Sequence, residues 1–482
     1  MTLVSKVPRV AIAGGGLGGT LMAIYLARRG MDVQVFERRP DIRKHVLDNG
    51  RSINMTIAER GLWALEPVGL RDAVTGITMP LKGRLTHAED GSTQFQHYGR
   101  SAREVHRSIK RSELNALLLD AADALPGVHL SFETRYLRGG TDARAPLFVQ
   151  DLRGGEAREI AADILIGADG AHSSVRASMQ RGLVADFEQH YLTEGYKELT
   201  IPAGRGGSFR LDPETVHVWP RGTCVLIAIA NRDGSFSCTC TMPCDGPGSF
   251  ASLASREEAG AFFERNFEDV LTVAPDVVDE FLARTPARYI TTMTAPWHLT
   301  DRVVLLGDAC HSVLPFYAQG MNAAFEDCRT LDECIAQSPG DWRSIDWQAA
   351  FLAYETRRRR HTDALARLSK RNYIELKERI RSPLFQARRR IDVALERRLP
   401  GAFTTLYSMI SHTTIPYADA LERSERRERW MKRTGLDALL TVAAAALAAG
   451  TRVRTWGRSL FRFLRPQQRA QRDAHVQSHT LR

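Results

Sequence analysis

The residues best suited to chemistry fall in one stretch, 303–328, which reads VVLLGDACHSVLPFYAQGMNAAFEDC. Residues 303–306 form an unbroken apolar run, the pattern of a strand buried in a parallel sheet. Gly307 and Asp308 break that run at the strand's carboxyl end, where open α/β sheets place their ligands. A loop punctuated by Pro315 and Gly320 follows, and Met321, Asn322, Ala323, Ala324 and Phe325 then predict a helix start. The first amides of such a helix have no backbone partner, and together with the helix dipole they favour negative charge. A strand, an acid, a glycine turn and a helix aimed back at the acid suit a ligand with a hydroxylated chain and an electron-rich ring, such as a reduced flavin. The same residues also describe an ordinary strand-to-helix connection, so the elements around them have to decide.

At the N-terminus, residues 9–13 predict a short apolar strand, followed at once by Gly14-Gly15-Gly16-Leu17-Gly18-Gly19 and an apolar helix to Gly30. A second strand, 32–36, ends at Glu37. Gly14, Gly16 and Gly19 form G-x-G-x-x-G in its βαβ setting, with an acid about 20 residues on to accept ribose hydroxyls. The glycines let the backbone approach a pyrophosphate, which rests on the helix N-terminus. Glu37 repels a 2′-phosphate, so the site should take FAD or NAD and not NADP. Residues 105–119 predict a strand ending at Ile109 and a helix with Arg111 near its start and Ser112 as its cap. A further apolar strand, 163–168, ends in Asp169-Gly170, again an acid and a glycine ahead of a polar helix start.

The chain has 482 residues, enough for two or three domains, a formal net charge of +10 and seven cysteines. An odd cysteine number without framework spacing fits a reducing compartment. Cys238, Cys240 and Cys244 lie on a strand-like run without zinc-site spacing, so no metal is expected. The apolar run from Val10 ends in glycines and not in a cleavage site, so no signal peptide is expected. Residues 451–482 hold eight arginines and one aspartate, +7 in all. The remainder is near neutral, against a nucleic-acid-binding core. From 73 to 98 the texture is of short strands with glycine turns, an inserted sheet that carries Arg84 and Tyr98. Residues 187–243 are strand-rich, with a hairpin turn at 231–234. Residues 257–282 read as helical, 289–296 as a strand that returns to the first domain, and 347–432 as charged helices. Arg51 and Arg60 could as easily be solvated surface, the basic run 357–360 reads as a solvated helix face, and an arginine on a strand such as Arg84 reads as solvated.

The glycine-rich start, Asp169-Gly170 and Gly307-Asp308 together resemble the three signatures of the single-component, FAD-dependent aromatic hydroxylases, over residues 9–330. Within that family the likeness narrows to the kynurenine hydroxylases, through RSIN (51–54), GRLTH (83–87), YGR (98–100), PFYAQGMNAAFEDC (315–328) and RNYIEL (371–376). The resemblance implies an α/β chain. A Rossmann-like FAD-binding domain of glutathione-reductase type (1–72, 105–177, 289–345) would carry an inserted β-rich substrate domain (73–104, 178–288), C-terminal helices (346–435) and an apolar, basic tail (436–482). It also implies site residues. Gly14, Gly16, Gly19 and Glu37 would hold the ADP half of tightly but non-covalently bound FAD, Arg111 would lie near the pyrophosphate, and Asp308 would bond the ribityl hydroxyls. The backbone of Gly320, Met321 and Asn322 would face the pyrimidine end of the ring, and Asp169 would contact FAD and, transiently, NADPH. Arg84 and Tyr98 would clamp the substrate's carboxylate, with Asn372 and Tyr407 as further polar contacts.

The activity so implied is hydroxylation of L-kynurenine through a flavin hydroperoxide, with NADPH and O2 as co-substrates, in tryptophan breakdown or NAD synthesis. The arylamine already donates electrons to the carbon attacked, so no acid or base is assigned. Two alternatives stay open: a relative acting on a modified kynurenine or another aromatic amine, and a flavin amine or amino-acid oxidase. Oxidases lack the Asp169-Gly170 type of signature and do not consume NADPH. The expected location is cytoplasmic. Residues 436–465, an apolar run followed by arginines interleaved with aromatic residues, suit contact with anionic lipid, like a reduced form of the membrane anchor of eukaryotic relatives; the other reading is a soluble helix that covers the active site, followed by a disordered basic tail.

Overall fold

The computed structural model describes residues 7–44, 54–99, 104–140, 146–181, 184–338, 344–379, 382–399 and 403–449. Arg51, Ser52, Ile53 and Arg100, which carry part of the resemblance, and the arginine-rich tail lie outside them. The chain divides into two compact units, Met1–Glu378 with Leu406–Arg423, and Arg379–Thr405 with Ser424–Arg482.

The first unit is organised by a six-stranded sheet in the order His298–Leu299, Val303–Leu305, Ile164–Gly167, Arg9–Ala13, Asp32–Phe36, Val128–Ser131. All its pairings are parallel except the first. Covered on both faces, its central strands can be apolar throughout, and Ile164–Gly167 and Val303–Leu305 are wholly buried. A three-stranded sheet, in which His106–Lys110 pairs with Asn54–Ile57 and Met79–Leu81, lies beside it. Ser108 Oγ and Asn54 Nδ2 dock that sheet by donating to Ala230 O at 3.1 and 3.2 Å.

Ala230 ends a strand of the second large sheet, seven-stranded, in the order Ala287–Ala295, Asp186–Ile201, Phe236–Pro243, Cys224–Ala230, Thr215–Arg221, Gly83–His87, Thr93–His97. The expected hairpin at 231–234 forms, with Gly234 at a φ of 86°. Strand Ala287–Ala295, expected to belong to the first domain, instead pairs antiparallel with Asp186–Ile201, so the chain leaves this sheet only after Ala295. Alternation along Phe236–Pro243 turns Phe236, Cys238 and Cys240 into a core closed by Phe263 and Phe281, where the cysteines act as small apolar side chains.

Two arginines expected on solvated faces are buried instead. Arg60 is 0% and Arg358 2% exposed, and each is balanced within the core: Arg358 by Asp327 and Glu326, Arg60 by Glu326 and the Tyr417 ring. A basic run read along one helix cannot reveal acids that arrive from another. The second unit packs Leu395, Phe403, Met431, Leu436 and Leu440 into a small core of its own, and Arg388 pairs with Asp437 at 2.9 Å. Its last described helix, Leu436–Ala448, buries Leu436, Leu440 and Ala444 and turns Leu439, Val442 and Leu447 outward. Among the described residues no helix is long and apolar enough to cross a membrane.

Candidate active site

The carboxyl edge of the parallel sheet gathers most of the residues singled out by sequence. After Arg9–Ala13 the chain turns through Gly14, at a φ of +107°, into helix Leu17–Arg28. A Cβ on Gly14 would lie 2.4 Å from Ala168 O, and one on Gly19 2.0 Å from Gly14 O, so both must be glycine for strand, turn and helix to close up. A Cβ on Gly16 would meet nothing within 4 Å. The helix opens there onto free space, and no side chain caps it. Glu37, buried, accepts the Gly15 amide at 2.9 Å through Oε2 and the Arg39 amide at 3.0 Å through Oε1. Oε1 also accepts Arg39 Nε at 3.0 Å, so the capacity left for a ribose is on Oε2.

Asp169 spends its carboxylate on the helix behind it. It accepts Ser173 Oγ at 2.5 Å and the Ser174 and Val175 amides at 2.7 and 3.2 Å, which covers the start of Ser174–Gln180. Burial raises its pKa, and these three bonds oppose the rise. Asp308 differs. Its side chain is exposed, yet desolvation holds its pKa above the usual carboxylate value, with His311 and Arg111 pulling the other way. An exposed carboxylate at the end of a buried strand is open to a hydroxylated ligand. Arg111 is exposed at the first position of Arg111–Asp123, where its charge is felt by Asp308; the N-cap is Lys110, so Ser112 lies in the first turn and is not the cap.

Helix Gly320–Ala336 starts without a side-chain cap, and its first backbone bond runs from Ala323 N to Gln319 O, which leaves the Gly320, Met321 and Asn322 amides without helical acceptors. A Cβ on Gly320 would meet only Val313, at 3.8 Å. The Asn322 side chain is unavailable to a ligand, because it donates to Thr56 O and Ala318 O and accepts from Ala58 N, each at 2.9 Å. What these residues offer is backbone. Two uncapped helix starts and a desolvated carboxylate on one sheet edge fit FAD, whose pyrophosphate and electron-rich ring need donors and whose ribityl hydroxyls need an acceptor.

Of the four expected substrate contacts, the fold brings two together. The Tyr98 and Tyr407 rings stack at 5.5 Å. Asn372 donates to Phe316 O at 2.6 Å and so fixes the turn Pro315–Tyr317, whose Tyr317 ring lies 6.2 Å from that of Tyr407. Arg84 is half-buried, with Nη2 on Gln96 Oε1 at 2.7 Å across the strand pair. One residue went unforeseen. His106 is 3% exposed, its ring meets Tyr98 edge-on at 4.8 Å, and its Nε2 lies 2.7 Å from the Tyr407 hydroxyl. Burial, with His412 nearby, lowers its pKa to about 3, so it is neutral, and its Nδ1 has no hydrogen-bond partner among the described residues. Nothing in the sequence around a lone histidine opening a strand marks it out.

Residues 8–369 match the family described as FAD binding domain. The chain is 44% identical over 446 residues to kynurenine 3-monooxygenase of Salinispora arenicola (strain CNS-205), across 92% of this chain and 97% of that protein. It is 39% identical over 408 residues to kynurenine 3-monooxygenase of Myxococcus xanthus (strain DK1622), across 85% of this chain and 86% of that one. Among solved structures it resembles the tetrameric form of 2-methyl-3-hydroxypyridine-5-carboxylic acid oxygenase, with a TM-score of 0.61 and 23% identity over 82% of this chain and 96% of that one. It also resembles P. aeruginosa PqsL in complex with 2-aminobenzoylacetate, with a TM-score of 0.62 and 21% identity over 78% and 98%. Those two likenesses speak for the fold alone. With family match and full-length relatives in agreement, the chain belongs to the kynurenine 3-monooxygenase family of FAD-dependent monooxygenases.

Proposed function

We propose that this protein hydroxylates L-kynurenine to 3-hydroxy-L-kynurenine, with NADPH as reductant, O2 as oxygen source and FAD held tightly but non-covalently. The observation that carries this reading is the likeness to kynurenine 3-monooxygenases over 92% of the chain, which takes in cleft and aromatic cluster alike. When bound, FAD supplies the reduced ring that activates O2. The chain's own work is to hold, orient and exclude water. Gly14, Gly16 and Gly19 let the first helix receive the pyrophosphate, Glu37 accepts from the adenosine ribose, and Arg111 and Asp308 take the chain between. The Gly320, Met321 and Asn322 amides favour negative charge at the pyrimidine end. Asp169, committed to its helix, shapes the cleft more than it touches ligand.

Arg84 offers a planar fork to the amino-acid carboxylate, with Tyr98, Tyr407 and Asn372 as neighbours that fix the ring. His106, neutral near pH 7, steadies the Tyr407 hydroxyl and does not act as an acid. The test is NADPH oxidation followed with and without L-kynurenine. Stimulation by kynurenine, with 3-hydroxykynurenine formed in amounts close to the NADPH consumed, supports the assignment. Oxidation that ignores kynurenine, or turnover of an amine without NADPH, sinks it.

We also propose that residues 436–465 contact anionic lipid. The outward Leu439, Val442 and Leu447 of helix Leu436–Ala448 and the arginines that follow in sequence support this reading.

A further inference from the structure

Two strips of backbone border the cleft: the turn at Gly307 and Asp308, and the helix start at Gln319 and Gly320. One buried chain of charges grips both from behind. Asp327, 0% exposed, reaches the turn on either side of Asp308: its Oδ2 accepts the Gly307 amide at 3.3 Å and lies 2.5 Å from His311 Nε2. Its Oδ1 accepts Arg358 Nε at 2.7 Å. Arg358 pairs with Glu326 at 2.6 Å, and Glu326 with Arg60 at 2.8 Å. Arg60 lies 4.0 Å above the Tyr417 ring and donates to Ile415 O at 2.6 Å. The Tyr417 hydroxyl closes the circuit by donating to Gln319 Oε1 at 3.0 Å. The chain of contacts thus begins under one strip and ends under the other.

Burial pulls the His311 pKa down, but the Asp327 carboxylate more than offsets this and holds it well above the ordinary value, so His311 is a cation. Three cations and two anions are then enclosed together. Such a cluster contributes little net stability over an apolar core of the same shape. It does hold direction, because guanidinium forks and carboxylates bond in fixed geometry.

We propose that this chain of charges is a positioning device for the flavin site, and that residues 415–417, well beyond residue 369 where the FAD-binding match ends, belong to that site. Arg60, His311, Glu326, Asp327, Arg358 and Tyr417 are positioning residues: they fix Asp308 and the Gly320 amides relative to each other. This rests on reading both strips as flavin-facing.

The test compares the holoenzyme with Tyr417→Phe, Arg60→Lys and Asp308→Ala. Tyr417→Phe removes only the hydroxyl on Gln319 and keeps the ring under Arg60; Arg60→Lys keeps the charge and loses the fork. FAD release on dilution is read by flavin fluorescence, and peroxide per NADPH is read at saturating L-kynurenine, at a temperature where circular dichroism shows each variant folded. Tyr417→Phe is expected to weaken FAD retention about two- to tenfold, the worth of one hydrogen bond, and to raise the peroxide share; Arg60→Lys moves both in the same direction. Parent-like FAD retention and peroxide share in both variants, whatever their unfolding temperatures, overturn the proposal and leave the network as support for the fold. Parent-like retention in Asp308→Ala as well removes the reading of the cleft itself, and the proposal with it.

Discussion

Removing the Tyr407 hydroxyl should do two separable things, and a cycle with His106 separates them. In Tyr407→Phe the ring keeps its stacking on Tyr98, but His106 Nε2 loses the oxygen 2.7 Å away. His106 is 3% exposed and its Nδ1 already lacks a partner among the described residues, so water does not easily reach the stranded nitrogen. A buried polar group left unmatched costs about 1–3 kcal/mol. His106→Leu removes the mismatch from the other side. The double variant, apolar at both positions, should cost about 1 kcal/mol or more less than the two single changes summed. Urea unfolding of FAD-loaded protein measures this, and kynurenine KM is read in parallel. If Tyr407 also touches substrate, KM stays raised in the double variant even where stability returns. The pH dependence checks the same geometry. The His106 pKa falls from 6.5 to about 3 on folding. As pH drops below about 6.5 the unfolded chain takes up a proton that the folded one refuses, so stability declines until pH approaches 3, by up to about 1.4 kcal/mol per pH unit. His106→Leu lacks this contribution and should lose stability less steeply in that window. Strict additivity in the cycle, with unchanged pH slopes, would refute the pairing.

Arg84→Ala removes a charge-assisted bond to the substrate carboxylate worth roughly 1.5–3 kcal/mol, so kynurenine KM should rise about ten- to hundredfold with FAD content unchanged. Kynurenamine, which lacks the carboxylate, should barely distinguish parent from variant; loss of FAD instead would make Arg84 a structural residue. Asn322→Ala should lower stability, because three hydrogen bonds at 2.9 Å tie its side chain to Thr56, Ala58 and Ala318; retention of parent stability on urea unfolding would show those bonds to be dispensable. A chain ending at Ala449 should keep turnover but lose salt-sensitive sedimentation with anionic vesicles, whereas ending at Gly435 also removes Leu436 and Leu440 from a small core. Equal partitioning of full-length and Ala449-terminated protein would end the lipid proposal.

What could be read from sequence, and what could not, divides by the range of the interactions. Gly14 and Asp308 sit at strand ends and Gly19 in the helix turn that follows Gly14, and their demands are written in nearby residues: a Cβ on Gly19 would strike Gly14 O at 2.0 Å, five positions away. The alternation that buries Cys238 and Cys240 is likewise local. Arg60 and Arg358 are the opposite case. Arg358 sits in a basic run on its own helix and Arg60 in an amphipathic helix start, and each one's acid arrives from more than 30 residues away along the chain, Asp327 for Arg358 and Glu326 for Arg60. Charge patterning cannot tell a solvated face from a buried pair when the partner is that distant, because the energy that decides, desolvation against pairing, belongs to the assembled core. His106 fails for the same reason: its meaning comes from Tyr407, 301 residues on. Asn322 shows the finer limit. Its position at an uncapped helix start was legible, but that its side chain faces Thr56 and Ala58 while only its amide is left for a ligand depends on a strand and helix start 266 and 264 residues earlier. Local chemistry therefore marks the candidate site, and long-range pairing determines which of its side chains are already engaged.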